Sequence, residues 1–160
     1  YGGHMLTREQ DLEHIKIYLS SHYQMAVATS GRFPWICTVY YSIDNDLNIY
    51  FLTSPSTIHG KQIAKNPKVA VAISDAPQSP NSKKKGLQIY GLCKQISGAR
   101  KVTHAITLWN KTLGVTNKDY SYEGMIKKAI SGRMYKITPK KIKFFNEDLA
   151  EEGKERMIEL

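Results

Sequence analysis

The segment from Thr53 to Lys61 combines residue types that bind an anion. Pro55 ends the apolar run before it, and Thr57 can cap a helix that starts directly afterwards. Free backbone N–H groups at a helix start, together with the helix dipole, attract negative charge. The segment therefore predicts a seat for a phosphate monoester, although a capped helix with solvated basic residues fits the same spacing. Its polar side chains are those of Thr53, Ser54, Ser56, Thr57, His59 and Lys61.

Short runs rich in Val, Ile, Thr, Tyr and Phe lie on both sides of this segment and predict β-strands. Turn compositions separate the first three runs, which predicts an antiparallel meander. Gly91 lies inside a later run, at a position typical of a bulge or a close backbone contact. The predicted strands are Met25–Thr29, Trp35–Ile43, Leu47–Thr53, Val69–Ser74, Leu87–Ser97, Met134–Ile137 and Ile142–Phe145, the last two separated by Pro139.

Helical periodicity and capping residues predict the remaining elements. Thr7 and Gln10 form a capping-box pattern ahead of an amphipathic helix that ends near Ser20. Apolar residues at helical spacing predict a helix over Ala99–Leu113, which Gly114 ends. About six antiparallel strands with peripheral helices predict a mainly β fold built as a small barrel. Further predicted segments are a helix from Thr57 to about Asn66, a short helix at Tyr122–Ala129, an exposed connection at Asp75–Gly86 and a partly packed tail at Glu147–Leu160.

The composition predicts one soluble globular domain over residues 5–160. Hydrophobic residues make up 41% and charged residues 23% of the chain, and no apolar run approaches the roughly 20 residues of a membrane span. Residues 1–4 precede Met5 and are interpreted as a vector-derived remnant. Cys37 and Cys93 lie in apolar runs without metal or redox spacing, which favours packed thiols and a cytoplasmic location.

The net charge of +9 comes mainly from lysine, and the densest cluster is Lys83–Lys85 in a polar stretch. Such a cluster is typical of a solvated loop, while the field of the whole chain attracts phosphate-bearing ligands or anionic partners. Only five arginines occur, so we do not expect specific nucleic-acid readout, in which arginine is the usual reader of guanine. The chain has no nucleophile elbow, phosphate-binding loop or dinucleotide fingerprint, and its five scattered histidines predict no metal site.

The ordered series of these segments resembles the FMN-binding split-barrel superfamily, typified by pyridoxamine-phosphate oxidase. The order of the segments, rather than any one of them, carries the resemblance, which covers most of Met25–Asn146. It implies a six-stranded antiparallel split β-barrel. The matching segments are the turn with Gly31 and Pro34, Tyr50–Thr53, Asn66–Val71, Leu87–Gly91 and Tyr135–Ile142.

The resemblance also implies FMN as the cofactor, with its ring across the second predicted strand and its phosphate at the start of the following helix. Family members bind two FMN molecules per homodimer, at the subunit interface. A homodimer with a small-molecule substrate is therefore expected, and no membrane partner. The resemblance assigns Thr38, Val39 and Tyr40 to the ring, Thr53, Ser54 and Thr57 to the phosphate, and Trp109 to the flavin of the partner chain.

Two departures from the oxidase pattern limit what the resemblance implies. The phosphate-binding Ser-Arg-Lys triplet of the oxidase corresponds here to Thr57-Ile58-His59, and no basic residue lies in Trp35–Ile43. His59 thus stands in place of a lysine, with Lys61 as a substitute two positions later. The C-terminal Arg and His substrate motif of the oxidase is also absent, so we do not expect that activity; the pattern is closer to a small uncharacterised bacterial branch.

The favoured function is an FMN-dependent oxidoreductase acting on an unidentified small molecule, in which the flavin carries the hydride chemistry. A flavin- or haem-binding protein without turnover is the alternative, since related split barrels serve such roles. A basic nucleic-acid or anionic-surface binder ranks third. A deazaflavin fits the same residues as FMN.

Overall fold

The computed structural model describes residues 6–75, 78–149 and 156–160; the interpreted vector remnant at residues 1–4 lies outside them. The described residues form four helices and one antiparallel sheet of seven strands. The helices are α1 Arg8–Ser20, α2 Ile58–Lys65, α3 Ala99–Leu113 and α4 Tyr122–Ile126. The strands are β1 Gln24–Ser30, β2 Pro34–Ile43, β3 Ile49–Thr53, β4 Lys68–Ser74, β5 Lys85–Gln95, β6 Arg133–Asn146 and β7 Arg156–Glu159.

Strands β1 to β6 close into a barrel because β3 pairs with both β2 and β6. The sheet order is β3-β2-β1-β4-β5-β6-β7. The first half of β6 pairs with β3, where Ile49 lies opposite Ile137, and its second half pairs with the short β7. The predicted mainly β, six-stranded antiparallel split barrel is confirmed, and β7 is an added strand in the tail that was predicted to pack only partly.

The barrel is filled by the alternate residues of its strands. Strand β4 shows the period of two clearly, since its buried and exposed residues alternate along its whole length. One end of the barrel is covered by α1, whose Ile15 and Leu19 have no exposed surface. A second apolar cluster lies outside the barrel wall, where α3 packs Ile106 and Trp109 against Tyr50 and its neighbours. Helix α3 is thereby held over β2, β3 and β6.

The prediction that Pro139 separates two strands was wrong, because β6 runs unbroken from Arg133 to Asn146. Pro139 lies opposite Gly91, where the β5–β6 register shifts by one residue. A proline lacks the N–H group of a regular ladder and is tolerated at such a bulge. A Cβ atom at Gly91 would lie 2.8 Å from the Thr138 carbonyl oxygen, which confirms the close backbone contact predicted there.

The predicted helix boundaries agree with the structure at most ends. The capping box of Thr7 and Gln10 is formed, and Gly114 ends α3 in the left-handed region at a φ of 70°. Helix α4 is shorter than predicted and ends at Ile126.

Cys93 is buried, Cys37 is half-buried, and both thiols are free. Among the described residues, none of the helices is both long and apolar enough to cross a membrane.

Candidate functional site

Thr57 is the N-cap of α2, as predicted, and its hydroxyl is fully used in that role. The Thr57 Oγ1 atom accepts a hydrogen bond from the Gly60 amide at 3.0 Å and donates one to the Ser54 carbonyl at 2.7 Å. The first two N–H groups of the helix, those of Ile58 and His59, have no intrahelical acceptor. They point outward from the N-terminal end of α2. These two amides, rather than the Thr57 hydroxyl, are the donors available to an anion.

Gly60 holds the first turn of α2 tightly against the preceding turn. A Cβ atom at this position would lie 2.7 Å from the Ser54 carbonyl oxygen and 2.9 Å from backbone atoms of Pro55. Both neighbours are backbone, which cannot rotate out of the way as a side chain can. Glycine is therefore required for the approach that brings the helix start and the Ser54–Ser56 turn together.

His59, which stands in place of a lysine, is held in the turn by a hydrogen bond and lies in an environment that disfavours its charged form. Its Nε2 atom shares a 2.6 Å hydrogen bond with the Thr53 hydroxyl. Burial lowers the pKa of His59 below its ordinary value of 6.5, because a buried imidazolium loses its hydration. Burial thus favours the uncharged ring, and the hydrogen-bonded side chains of His59 and Thr53 support the turn.

The exposed groups of the turn are two hydroxyls and one lysine. The Ser54 and Ser56 hydroxyls lie 2.8 Å apart at the surface. Lys61 is exposed and makes no ion pair with another described residue. It lines a cavity of about 600 Å³ between α2 and β5, together with Lys65 and Lys94. The positive charge near the start of α2 therefore comes from lysines.

The predicted ring-binding residues lie on β2, toward the end of the β2–β3 pair at which β3 reaches Thr53 and the predicted phosphate turn begins. Tyr41 pairs with Phe51, so Val39 and Thr53 extend from that pair in the same direction. Thr38 and Tyr40 are exposed on the outer face of the barrel, whereas Val39 packs against the core. The structure thus brings the predicted ring strand and the predicted phosphate turn to one region of the barrel.

Trp109 reaches β2 of its own chain. Its indole Nε1 donates a 3.2 Å hydrogen bond to the Tyr40 carbonyl, and its ring stacks on Tyr120 with centroids 6.2 Å apart. Only 7% of Trp109 is exposed. Trp109 therefore anchors α3 beside the predicted ring strand, and its expected contact with a partner's flavin stays a prediction.

Gln62 is a site residue that the sequence pattern did not single out. Its side chain accepts a 2.6 Å hydrogen bond from the Thr29 hydroxyl and donates one of 3.0 Å to the Phe33 carbonyl. Asn66 adds a 2.9 Å hydrogen bond to the Ser30 hydroxyl. These contacts join α2 to the β1–β2 turn. A polar residue in the middle of a short helix carries no spacing signal that would have revealed this role.

No family model and no curated protein sequence matches this chain. Solved structures match over most of its length. A putative pyridoxamine 5'-phosphate oxidase from Listeria innocua has a TM-score of 0.64 at 20% identity, over 84% of this chain and 97% of that chain. This chain therefore has the same split-barrel fold as that protein.

Other split barrels show how widely this fold is used. A Clostridium acetobutylicum protein of the pyridoxinephosphate oxidase family, related to general stress protein 26, has a TM-score of 0.69 at 16% identity, over 96% of this chain and 97% of that chain. A haem-binding protein from Mycobacterium smegmatis has a TM-score of 0.71 at 13% identity, over 96% of this chain. The match spans 60% of the haem-binding protein's length. At these identities the likeness concerns the fold.

Metal ligands do not cluster in the part of the chain that the structure describes. No group of three or more His, Cys, Asp or Glu side chains there is arranged to hold a metal ion. At the start of α2 the groups that can bind an anion are backbone amides, two hydroxyls and lysines, next to an exposed strand with aromatic side chains.

Proposed function

We propose that this protein binds FMN and acts as a flavin-dependent oxidoreductase on a small molecule. The observation that carries the proposal is the start of α2, where two amides without intrahelical partners lie beside two surface hydroxyls and Lys61. A phosphate monoester is the anion that best matches such a set of donors. A putative pyridoxamine 5'-phosphate oxidase from Listeria and a Clostridium protein of the pyridoxinephosphate oxidase family have the same fold, and the resemblance to that family is what supports FMN as the ligand.

The residues present fit FMN, but the groups that would contact its phosphate differ from those that the resemblance implied. The amides of Ile58 and His59, the hydroxyls of Ser54 and Ser56 and the ammonium of Lys61 would hold the phosphate. Thr53, Thr57 and His59 hold the turn in shape, since their side chains bind one another or the backbone. Bound flavin would supply hydride transfer, and the outer face of β2 at Thr38 and Tyr40 would orient its ring.

Reversing the charge of Lys61 is expected to weaken FMN binding. A charge-assisted hydrogen bond to phosphate contributes about 1.5–3 kcal/mol, so Lys61→Glu should raise the dissociation constant by about 10-fold or more. Quenching of flavin fluorescence measures this constant. Lys65→Glu, one turn further along α2, makes the same change in net charge and should have a smaller effect. Equal effects of the two variants would show that the phosphate does not lie at the start of α2.

The visible spectrum of the purified protein tests the cofactor itself. A flavin spectrum, with FMN released on denaturation, is the expected result, and bleaching by NAD(P)H would support the oxidoreductase. The Mycobacterium smegmatis protein binds haem on the same fold, so a haem spectrum with no uptake of FMN would contradict the proposed cofactor.

We also propose that the protein is a homodimer through the outer face of β1 and β4. Four alanines face outward there in register, with Ala26 opposite Ala72 and Ala28 opposite Ala70. Small side chains on a flat sheet allow a second sheet to approach closely. Ile36, which is 65% exposed, lies opposite Ala28 on β2 and extends the apolar surface on that side. Thr38 lies opposite Ala26, so this face continues into the predicted ring strand.

A charged side chain in the middle of the alanine face should separate the proposed dimer. Ala70→Arg adds a cation where two copies would meet, and buried unpaired charge costs several kcal/mol. Sedimentation equilibrium is expected to show a dimer for the native chain and a monomer for Ala70→Arg. Thr107→Arg, on the exposed side of α3, is the matched control and should remain dimeric. A native chain that sediments as a monomer would contradict this assembly.

A further inference from the structure

A second basic site lies outside the α2 turn, in a cleft between α3, β5 and β6. The cleft has a volume of about 930 Å³. It shares no residue with the segment from Thr53 to Lys61, and its floor is the outer face of the barrel near Tyr50. Its size lies in the range of small-molecule pockets, which is roughly 300–1,000 Å³.

Five permanent cations from three elements line this cleft, and no Asp or Glu does. None of the five makes an ion pair with a carboxylate among the described residues. His104 adds an imidazole to the same wall. Like charges that converge without a counterion repel one another, so an anion that enters the cleft gains from all of them. The five cations are Lys94, Arg100, Lys101, Lys136 and Lys140.

The lysine cluster that is densest in the sequence behaves differently. Lys83 lies 3.2 Å from a carboxylate oxygen of Asp148, and Lys85 forms an ion pair with the same side chain. The backbone amide of Lys84 donates to Glu147. The loop at Lys83–Lys85 therefore has acidic side chains as counterions. The cleft is lined by none, so its positive charge is available to a ligand.

The position of Arg100 and Lys101 is a further reason to expect an anion in the cleft. Both lie in the first turn of α3, which contains no acidic residue. The dipole of a helix favours negative charge at that end, so cations there are unfavourable on their own. An anion held between them and the lysines of β5 and β6 removes that cost.

We propose that this cleft binds a small molecule with two or more phosphate or carboxylate groups. A single phosphate would leave most of the five cations unpaired. Nucleic acid fits less well, because single-strand binders stack bases on aromatic side chains. Tyr50 is the aromatic residue of the cleft, is 7% exposed, and donates its hydroxyl to Asp44 at 2.9 Å. Lys94 also lines the cavity beside Lys61, but the other four cations lie only in the cleft, so this proposal does not depend on the binding of FMN.

Isothermal titration calorimetry with inorganic tripolyphosphate, and in parallel with citrate, tests whether the cleft binds such a molecule. Arg100→Glu combined with Lys101→Glu should weaken the binding of the better ligand by about 10-fold or more, which corresponds to about 1.4 kcal/mol. The paired variant should fold normally, since both positions are exposed and glutamate suits the first turn of a helix. An unchanged or higher melting temperature would separate lost binding from lost structure.

Lys111→Glu combined with Lys118→Glu makes the same change in net charge at exposed positions away from the cleft. Binding that is weakened only by the cleft variant supports the proposal. The absence of binding to either anion, or equal losses in the two paired variants, would overturn it. Displacement of tripolyphosphate by a single-stranded oligonucleotide at a lower concentration than citrate would assign the cleft to nucleic acid instead.

Discussion

Replacing Gly60 by alanine is expected to destabilise the protein by about 2–3 kcal/mol, because the added methyl group overpacks a site bounded by backbone. The Cβ atom would approach the Ser54 carbonyl oxygen to 2.7 Å, so α2 must move away from the Ser54–Ser56 turn. Denaturant unfolding measures the loss of stability. The same displacement separates the helix amides from the surface hydroxyls, and the flavin titration should show weaker FMN binding in the folded variant.

Gly31→Ala is the matched control for this prediction. A Cβ atom at Gly31 would meet the Gln62 side chain at 3.1–3.3 Å, so that side chain need give by only a few tenths of an ångström and can keep its hydrogen bonds to Thr29 and Phe33. The cost should therefore stay below about 1 kcal/mol, as for most substitutions near the surface. If the two variants lose the same stability, the close packing of α2 on its preceding turn is not what holds the site.

Replacing Arg156 by methionine is expected to cost about 2–3 kcal/mol through the carboxylate that it leaves behind. The Arg156 Nη1 atom lies 2.6 Å from an Asp11 carboxylate oxygen and also donates to the Leu6 carbonyl at 3.1 Å. Asp11 is only 5% exposed, so Arg156 rather than water is the partner that its carboxylate contacts. Breaking a buried pair on one side leaves an uncompensated charge, and the partial exposure of Arg156 places the cost near the lower end of the usual range.

A double-mutant cycle separates this electrostatic cost from lost packing. Asp11→Leu combined with Arg156→Met removes both charges and should be more stable than Arg156→Met alone, because no charge remains buried. Denaturant unfolding of the four proteins in the cycle gives the coupling energy. Strictly additive losses would mean that β7 is held to α1 by apolar contacts and that the ion pair contributes little.

Much of the fold was predictable because its signals are local. The period of two in β4, the capping box at Thr7 and the glycine that ends α3 each act within a few residues. The unbroken β6 was not predictable, because Pro139 is tolerated only where Gly91 of another strand allows a bulge. Strand β7 was missed for a similar reason, since a charged tail becomes a strand only when β6 offers a free edge and Asp11 binds Arg156.

The candidate site was predictable in position and not in the roles of its residues. The cap at Thr57 follows from residue type and spacing. The lowered pKa of His59 does not, because it results from burial, and its hydrogen bond to the Thr53 hydroxyl forms only in the folded turn. Gln62 and Trp109 bind backbone carbonyls of residues far along the chain, and no pattern in one sequence specifies such partners.

The sequence by itself determined strands β1 to β5, the helix caps and the turn from Thr53 to Lys61, since these depend on backbone preferences and on neighbouring residues. The tertiary structure decided where positive charge is available. Lys83 and Lys85 form the dense cluster in the sequence, but folding places Asp148 against them. Cations from two distant segments, residues 94–101 and residues 136–140, instead meet in the cleft of α3, β5 and β6. Electrostatic attraction depends on distance through space, which only the closed barrel establishes.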